Sequence, residues 1–369
     1  MKTRFITVVA ASVALLVSCT STVKSSDLKI AVDNSAANIE TALASTPLFA
    51  SNDNFVSLTV DGNQVEFKTT KVETAAVSDE FGTGKQTVVT AQSPIGIERK
   101  LILGSYEQFP STVIVKAVYT NKSEAAAAVD AWTMCNVNVA AAGQDPAFWT
   151  FQGQSTEGRD NWLIPIQEPF FQKNFMGMNN SDYGGGIPVT CVWRRDAGVI
   201  IGHLAPNPEL VSLPVEKKEG ESFVNAVVLK EFEEPVVIDK DGTLETLTCF
   251  VSTYNGDCFG ALRNYSQLLE KVGIVMPESE PEAFETAWCA WGYERRFTID
   301  EIIGTLPKVK ELGFKWATLD DGYQIAEGDW DLTKERFPHG DADMKYMVDK
   351  FHEYGLKAEL WWAPLAADP

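Results

Sequence analysis

Histidine is scarce: His203, His339 and His352 are spread over 369 positions and form no cluster. That removes a histidine-built metal centre and a histidine-centred triad from the starting list. Cysteine is sparse too, at six, with irregular spacing and no C-x-x-C, which disfavours zinc ribbons and a dense disulfide framework. Setting Cys19 aside, Cys135, Cys191, Cys249, Cys258 and Cys289 read as isolated buried thiols, with a Cys249–Cys258 pair as the alternative in an oxidising compartment. Positive charge is also short: 31 Lys and Arg against 51 Asp and Glu leave a formal charge of −20, with no local basic stripe. Such a surface repels phosphate backbones, so nucleic acid is not an expected partner. Gly82-Thr83-Gly84-Lys85 lacks the upstream glycine and following Ser/Thr of a phosphate loop and reads as a turn. No motif requires a metal or a cofactor.

What the chain has instead is apolar and aromatic material. Hydrophobic residues make up 45%, enough for a real core, so wholesale disorder is excluded. Ten Trp, nine Tyr and 20 Phe accompany the acidic surplus. Most of these rings are core. Rings beside carboxylates also suit hydroxyl-rich ligands, whose C–H faces stack while the acids accept hydroxyl protons.

One apolar run stands out, Phe5 to Val17, preceded by Lys2 and Arg4. It has the length of a signal-peptide core and is too short for a comfortable transmembrane helix. Leu16-Val17-Ser18-Cys19 resembles a bacterial lipobox, which implies a signal peptide over 1–18, lipidation at Cys19 and a tether over 19–27. The expected location is exported and lipid-anchored to a bacterial membrane, not spanning it.

From 28 to about 256 the chain shows short β-type runs punctuated by turn residues. Phe55 to Val60, Asp61-Gly62-Asn63 and Val65 to Thr69 form one such unit; Gln86 to Thr90, Ile97 to Leu103, Thr112 to Tyr119, Val189 to Trp193, Val199 to Ile201 and Phe223 to Leu229 continue it. This pattern predicts a large β-sandwich. Over 257–282 a helix is expected, capped by Asp257 and ended by Gly273, followed by an acidic, proline-bearing linker from Met276 to Glu282.

The remainder, 283–369, alternates strand and helix. Glu285 to Trp291, Phe314 to Leu319 and Leu356 to Trp362 are strand candidates. Between them, Thr298-Ile299-Asp300-Glu301 is a capping box opening one helix, with Pro307 a kink candidate inside it, and Met344, Met347, Val348 and Phe351 mark a second. Strands in this rhythm are parallel with right-handed crossovers, the opening of a (β/α)8 barrel. Chemistry in such barrels sits at the C-terminal strand ends. Those ends carry Trp288, Cys289 and Trp291, then Asp320 and Asp321, then Trp361 and Trp362. Asp-Gly is a common turn signal, but two adjacent carboxylates closing a buried strand repel each other unless donors converge on them. His352, on the second helix, is expected at the surface.

Trp288-Cys289-Ala290-Trp291, Ala317-Thr318-Leu319-Asp320-Asp321-Gly322-Tyr323-Gln324, Gly328-Asp329-Trp330, Arg336-Phe337-Pro338 and Gly355-Leu356-Lys357-Ala358-Glu359-Leu360-Trp361 resemble, in this order, the α-galactosidases of glycoside hydrolase family 36 (melibiase-like). The specific likeness covers about 283 to 369; the N-terminal part is compatible with the family's supersandwich-like domain. The resemblance implies retaining hydrolysis of terminal α-galactosides in oligosaccharides. Asp320 and Asp321 would hold the hydroxyls on C4 and C6, and Trp288, Trp361 and Trp330 would line the sugar pocket. Tyr323 stands where relatives usually carry Trp. The nucleophile and the acid/base, carboxylates about 5–5.5 Å apart in retaining enzymes, come from later strands in the family and are expected beyond Pro369. The 369-residue chain is thus expected to be a C-terminally truncated, inactive fragment. Alternatives are a non-catalytic carbohydrate-binding lipoprotein, or the same fold acting as an α-N-acetylgalactosaminidase or a galactosyltransferase.

Overall fold

The computed structural model describes residues 21–24, 28–32, 39–43, 49–50, 54–140, 147–154, 162–176, 186–194, 197–364 and 366. The expected signal peptide and Cys19 lie outside the described residues. Ser21–Lys24, within the expected tether, is a strand paired with Leu28–Val32, which in turn pairs with Ile39–Leu43. The chain divides into two compact units between Val275 and Met276.

The first unit is built from two large antiparallel sheets, of ten and seven described strands. Their alternating strands bury one face against the other. Leu101, Leu103, Val113 and Val115 from the larger sheet meet Val129, Val137, Val224 and Val228 from the smaller in one continuous core. Asp61-Gly62 is the hairpin turn that the sequence suggests: both residues take positive φ (49° and 74°), and the strands flanking them pair Val60 with Asn63. The segment Gly82-Thr83-Gly84-Lys85 is no turn. The reversal falls one step earlier, at Glu80–Phe81, and Gly82–Gln92 runs as a strand paired on both sides.

A helix, α1 (Cys258–Lys271), follows the last sandwich strand, Cys249–Asn255. Asp257 caps it by accepting from the Phe259 N–H. Its buried side chains Cys258, Ala261, Tyr265 and Leu268 cover the outer face of the ten-stranded sheet, against Phe250, Ile200, Val189 and Cys191. The helix therefore belongs with the sandwich. Cys135, Cys191, Cys249 and Cys258 are buried and unpaired, as expected of isolated thiols.

His203 is 2% exposed on the strand Ala197–His203. Its Nδ1 accepts from the Ala205 N–H at 3.2 Å, so the ring proton sits on Nε2, which is buried without a partner among the described residues. Burial pushes its pKa from 6.5 down to about 4. The unfolded chain takes up this proton near 6.5 and the folded one does not. The resulting stability is full above 6.5 and is lost as pH falls through about 4. Thermal melts of His203→Leu and the unsubstituted chain between pH 7 and 4 should diverge in slope, with the variant less acid-sensitive; parallel slopes would exclude this contribution.

In the second unit, three strands form a parallel sheet in the order Ala287–Cys289, Trp316–Leu319, Lys357–Leu360. Two helices, α2 (Ile299–Glu311) and α3 (Asp341–Glu353), make the crossovers. Thr298 and Glu301 form the capping box reciprocally, and α2 continues through Pro307. Ile302, Leu306, Val309, Met347 and Phe351 from the helices pack on Ala317 and Leu319 of the central strand. This β/α order is the start of a partial (β/α) barrel. The strands are shorter than the apolar runs suggest, because Ala290–Arg296 turns into a 3-10 segment straight after the first. Within the connection after the second strand lies a hairpin, Gln324–Ala326 with Asp329–Leu332.

Candidate active site at the C-terminal strand ends

Strand alternation decides which side chains meet. Ala317 and Leu319 face the helices, so Thr318 and Asp320 face the opposite side of the sheet. Register places Cys289 beside Thr318, and Thr318 beside Glu359. On that side Thr318 Oγ1 donates to Glu359 Oε2 at 2.6 Å, and the Cys289 thiol donates to Asp320 Oδ2 at 2.8 Å. At the N-terminal end of the same sheet, Lys357 Nζ and Trp316 Nε1 both donate to Glu285. The Lys357 hydrogen bond, with a smaller part from Trp316, holds the Glu285 carboxyl below its usual range. That end is a structural clasp.

The two tandem acids have different surroundings. Asp320 is half-buried; its Oδ1 accepts the Asp321 N–H at 2.7 Å and its Oδ2 takes the Cys289 thiol. Asp321 is buried, at 6% exposure. Arg295 reaches its Oδ2 through Nε at 2.7 Å and through a second guanidinium nitrogen, while Gln324 Nε2 donates to Oδ1 at 2.7 Å. The donors that two adjacent carboxylates need are thus supplied largely by the protein. Both oxygens of Asp320 and Oδ1 of Asp321 retain a second lone pair for a ligand hydroxyl, whereas Asp321 Oδ2 already takes two guanidinium nitrogens. Arg295, Asp321, Gln324, Glu327, Thr333 and Arg336 are among the residues around a polar cleft of about 290 Å³.

Gly322 makes this arrangement possible. Its φ is +105°, and a Cβ there would lie 3.0 Å from Arg295 Cα, so a side chain would push away the residue that holds Asp321. Arg295 in turn follows Glu294, whose φ of 51° and ψ of −148° break the 3-10 segment and redirect the chain.

The tryptophans separate into two groups. Trp330, on the hairpin, meets Trp361 edge-on at 6.1 Å and Trp362 at 6.3 Å, with Tyr323 tilted against it at 6.4 Å. Tyr323 Oη donates to the Trp361 carbonyl at 3.0 Å, fastening the hairpin to the end of the third strand. The structure thus brings Trp330 and Trp361 together. It places Trp288 elsewhere: paired with Ala317, Trp288 packs half-buried against the helix-side core. Trp291, two residues past the first strand, is 46% exposed.

Arg295, Gln324 and Cys289 were not readable as partners of the acids. Gln324 opens the hairpin strand three residues after Asp321, and the Asp321-Gly322 turn signal does not say that its side chain folds back onto the acid. Arg295 depends on the bend at Glu294. Cys289 needed the register of two parallel strands.

Among the described cysteines Cys289 is the exposed one. Its pKa is raised by partial burial and by the Asp320 carboxylate, so thiolate forms only at higher pH than for an ordinary thiol. Iodoacetamide on the native protein should label Cys289 ahead of the four buried thiols, slowly at pH 7. Asp320→Asn should speed labelling at pH 8; an unchanged rate would show that the thiol–carboxylate contact is absent in solution.

No protein-family model matches the chain. It is 28% identical over 303 residues, 78% of its length, to "A type blood alpha-D-galactosamine galactosaminidase" of Flavonifractor plautii. Over a shorter stretch of 75 residues it is 35% identical to the alpha-galactosidase Mel36A of Lactobacillus acidophilus. The crystal structure of the alpha-galactosidase from Lactobacillus brevis superposes on 94% of this chain with a TM-score of 0.57 and 13% identity. The GH36 alpha-galactosidase AgaA of Geobacillus stearothermophilus does so on 94% with a TM-score of 0.56 and 12% identity. The chain thus has a GH36 α-galactosidase-like fold and distant sequence similarity to these enzymes. It spans 27% of the length of the galactosaminidase and about half (55–56%) of these two solved galactosidases.

Proposed function

We propose that the strand-end site grips the non-reducing terminal sugar of an α-galactoside and that the protein acts in retaining hydrolysis of such glycans. The observation that carries this is the pair Asp320 and Asp321: adjacent carboxylates at the C-terminal end of a buried parallel strand, held in place by Cys289, Arg295 and Gln324. A sugar with two hydroxyls on one side, such as O4 and O6 of galactose, supplies two further donors to these oxygens. Trp330 and Trp361 provide an aromatic wall beside the same strand ends. Trp288 is a less direct candidate for that wall, since it packs into the helix-side core.

Neither acid is assigned as nucleophile or acid/base. Both are occupied by positioning contacts, and retaining chemistry needs two carboxyls facing each other across the anomeric carbon. The family resemblance implies that those two groups stand on later barrel strands. Saturation-transfer NMR of this polypeptide with methyl α-galactoside and its C4 epimer, methyl α-glucoside, tests the assignment. Preference for the galactoside with no release of p-nitrophenol from the chromogenic α-galactoside is expected. Equal binding of the epimers would remove the galactose assignment, and turnover would place the reacting carboxylates within these residues.

A second substrate class is favoured by one observation: the relative matching over 78% of the chain carries the name of an α-D-galactosamine galactosaminidase. The two sugars differ only at C2, so comparing galactose with galactosamine as ligands separates them. The export and lipid anchor at Cys19 belong to the same proposal and rest on the charged start and apolar run of residues 2–17.

A further inference from the structure

The sandwich unit carries a second cleft, of about 330 Å³, between the hairpin at Gln108–Thr112, the end of the strand Cys249–Asn255 and one face of α1. The helix contributes Gly260, Arg263, Asn264 and Gln267, spaced so that all four share one stripe. Gln108, Asn255, Asn264 and Gln267 bring four carboxamides, each carrying donors and an acceptor, and Arg263 is the one ionised side chain among the described residues around the cleft. On a chain of net charge −20, a concavity with no carboxylate among its described lining residues is distinctive.

The floor is built from a fixed network. Thr112 Oγ1 and Ser252 Oγ are 2.7 Å apart, Ser252 donates to the Ser111 carbonyl at 3.0 Å, and Asn264 Nδ2 donates to Ser252 Oγ. These bonds tie hairpin, strand and helix together behind the cleft, so it is formed before any ligand arrives. Tyr254 stands half-buried at its wall. Pre-formed concavity, paired amide donors and acceptors, the aromatic bodies of Tyr254 and Phe109 and little charge are what a hydroxyl-rich, neutral ligand requires. A phosphate or carboxylate ligand would call for more than one cation.

We propose that this cleft is a second carbohydrate site, which holds a neutral stretch of a glycan. The inference extends the glycosidase reading above, but its residues lie wholly in the sandwich unit.

Stachyose, a galactose-ended tetrasaccharide, serves as the probe, titrated calorimetrically into the full 369-residue chain in three forms. Asp320→Asn should retain a binding event. Arg263→Ala combined with Gln267→Ala, both exposed positions, should weaken that event at least tenfold in the Asp320→Asn background while leaving the melting temperature unchanged. Loss of all stachyose binding in Asp320→Asn alone, or unchanged affinity in the cleft variant, would overturn the proposal. Displacement of the sugar by an equal concentration of inorganic phosphate would also overturn it, by marking the cleft as an anion site. If the cleft binds stachyose but Asp320→Asn changes nothing in the unsubstituted chain, the strand-end assignment fails and this one stands.

Discussion

Asp320→Asn is expected to reduce affinity for methyl α-galactoside by about 10- to 100-fold, the cost of one charge-assisted hydroxyl contact at roughly 1.5–3 kcal/mol. The fold should survive, because Asp320 is half-buried and an amide oxygen can still accept the Asp321 N–H. Asp321→Asn differs in kind. Its carboxylate is the partner of Arg295 and of buried Gln324, so the amide weakens the ion pair and places one NH2 against donors. Affinity and thermal stability should fall together there, whereas in Asp320→Asn only affinity falls. Calorimetric titration with melts of both variants checks this; equal loss of stability in the two would show that Asp320 is structural.

Phe351→Ala should unfold the second unit at markedly lower denaturant. Phe351 is 1% exposed on α3 and packs into the cluster formed by α2, α3 and the central strand. Truncating a buried phenyl costs about 3–5 kcal/mol, in part because the cavity does not collapse. That approaches the whole stability of a small domain. Guanidinium unfolding followed through tryptophan emission should show the transition of residues 276–369 shifted, with the sandwich transition in place. A shift of less than about 1 kcal/mol would mean that the helices do not pack as described.

Much of the architecture was legible because it rests on local rules. Asp61-Gly62, the Asp257 cap and the Thr298/Glu301 box each announce an element end through chemistry confined to a few residues. The alternating strands of the sandwich were legible for the same reason. The strand Ala127–Ala140 was not: its alanines, Asp130 and two asparagines are poor strand formers, and it is held by pairing with Phe223–Ile238 on one side and Ser57–Val60 on the other. Gly82-Thr83-Gly84-Lys85 looked like a turn because two glycines do favour one, yet both flanking strands continue through it. At the site, Asp320 and Asp321 were visible as a pair, since tandem acids ending an apolar run need a reason. Which acid is buried, and that Arg295 and Cys289 divide them, depends on strand register and on the bend at Glu294. Trp288 and Trp291 are three residues apart and look equivalent in sequence; pairing with Ala317 turns the first into the core.

A crystal structure of the chain soaked with galactose tests the central assignment most directly. Hydroxyl oxygens of the sugar are expected about 2.6–3.2 Å from the carboxylates of Asp320 and Asp321, with the ring beside Trp330 and Trp361. Density for galactose only elsewhere on the molecule, with both carboxylates bound solely by Cys289, Arg295 and Gln324, would contradict it.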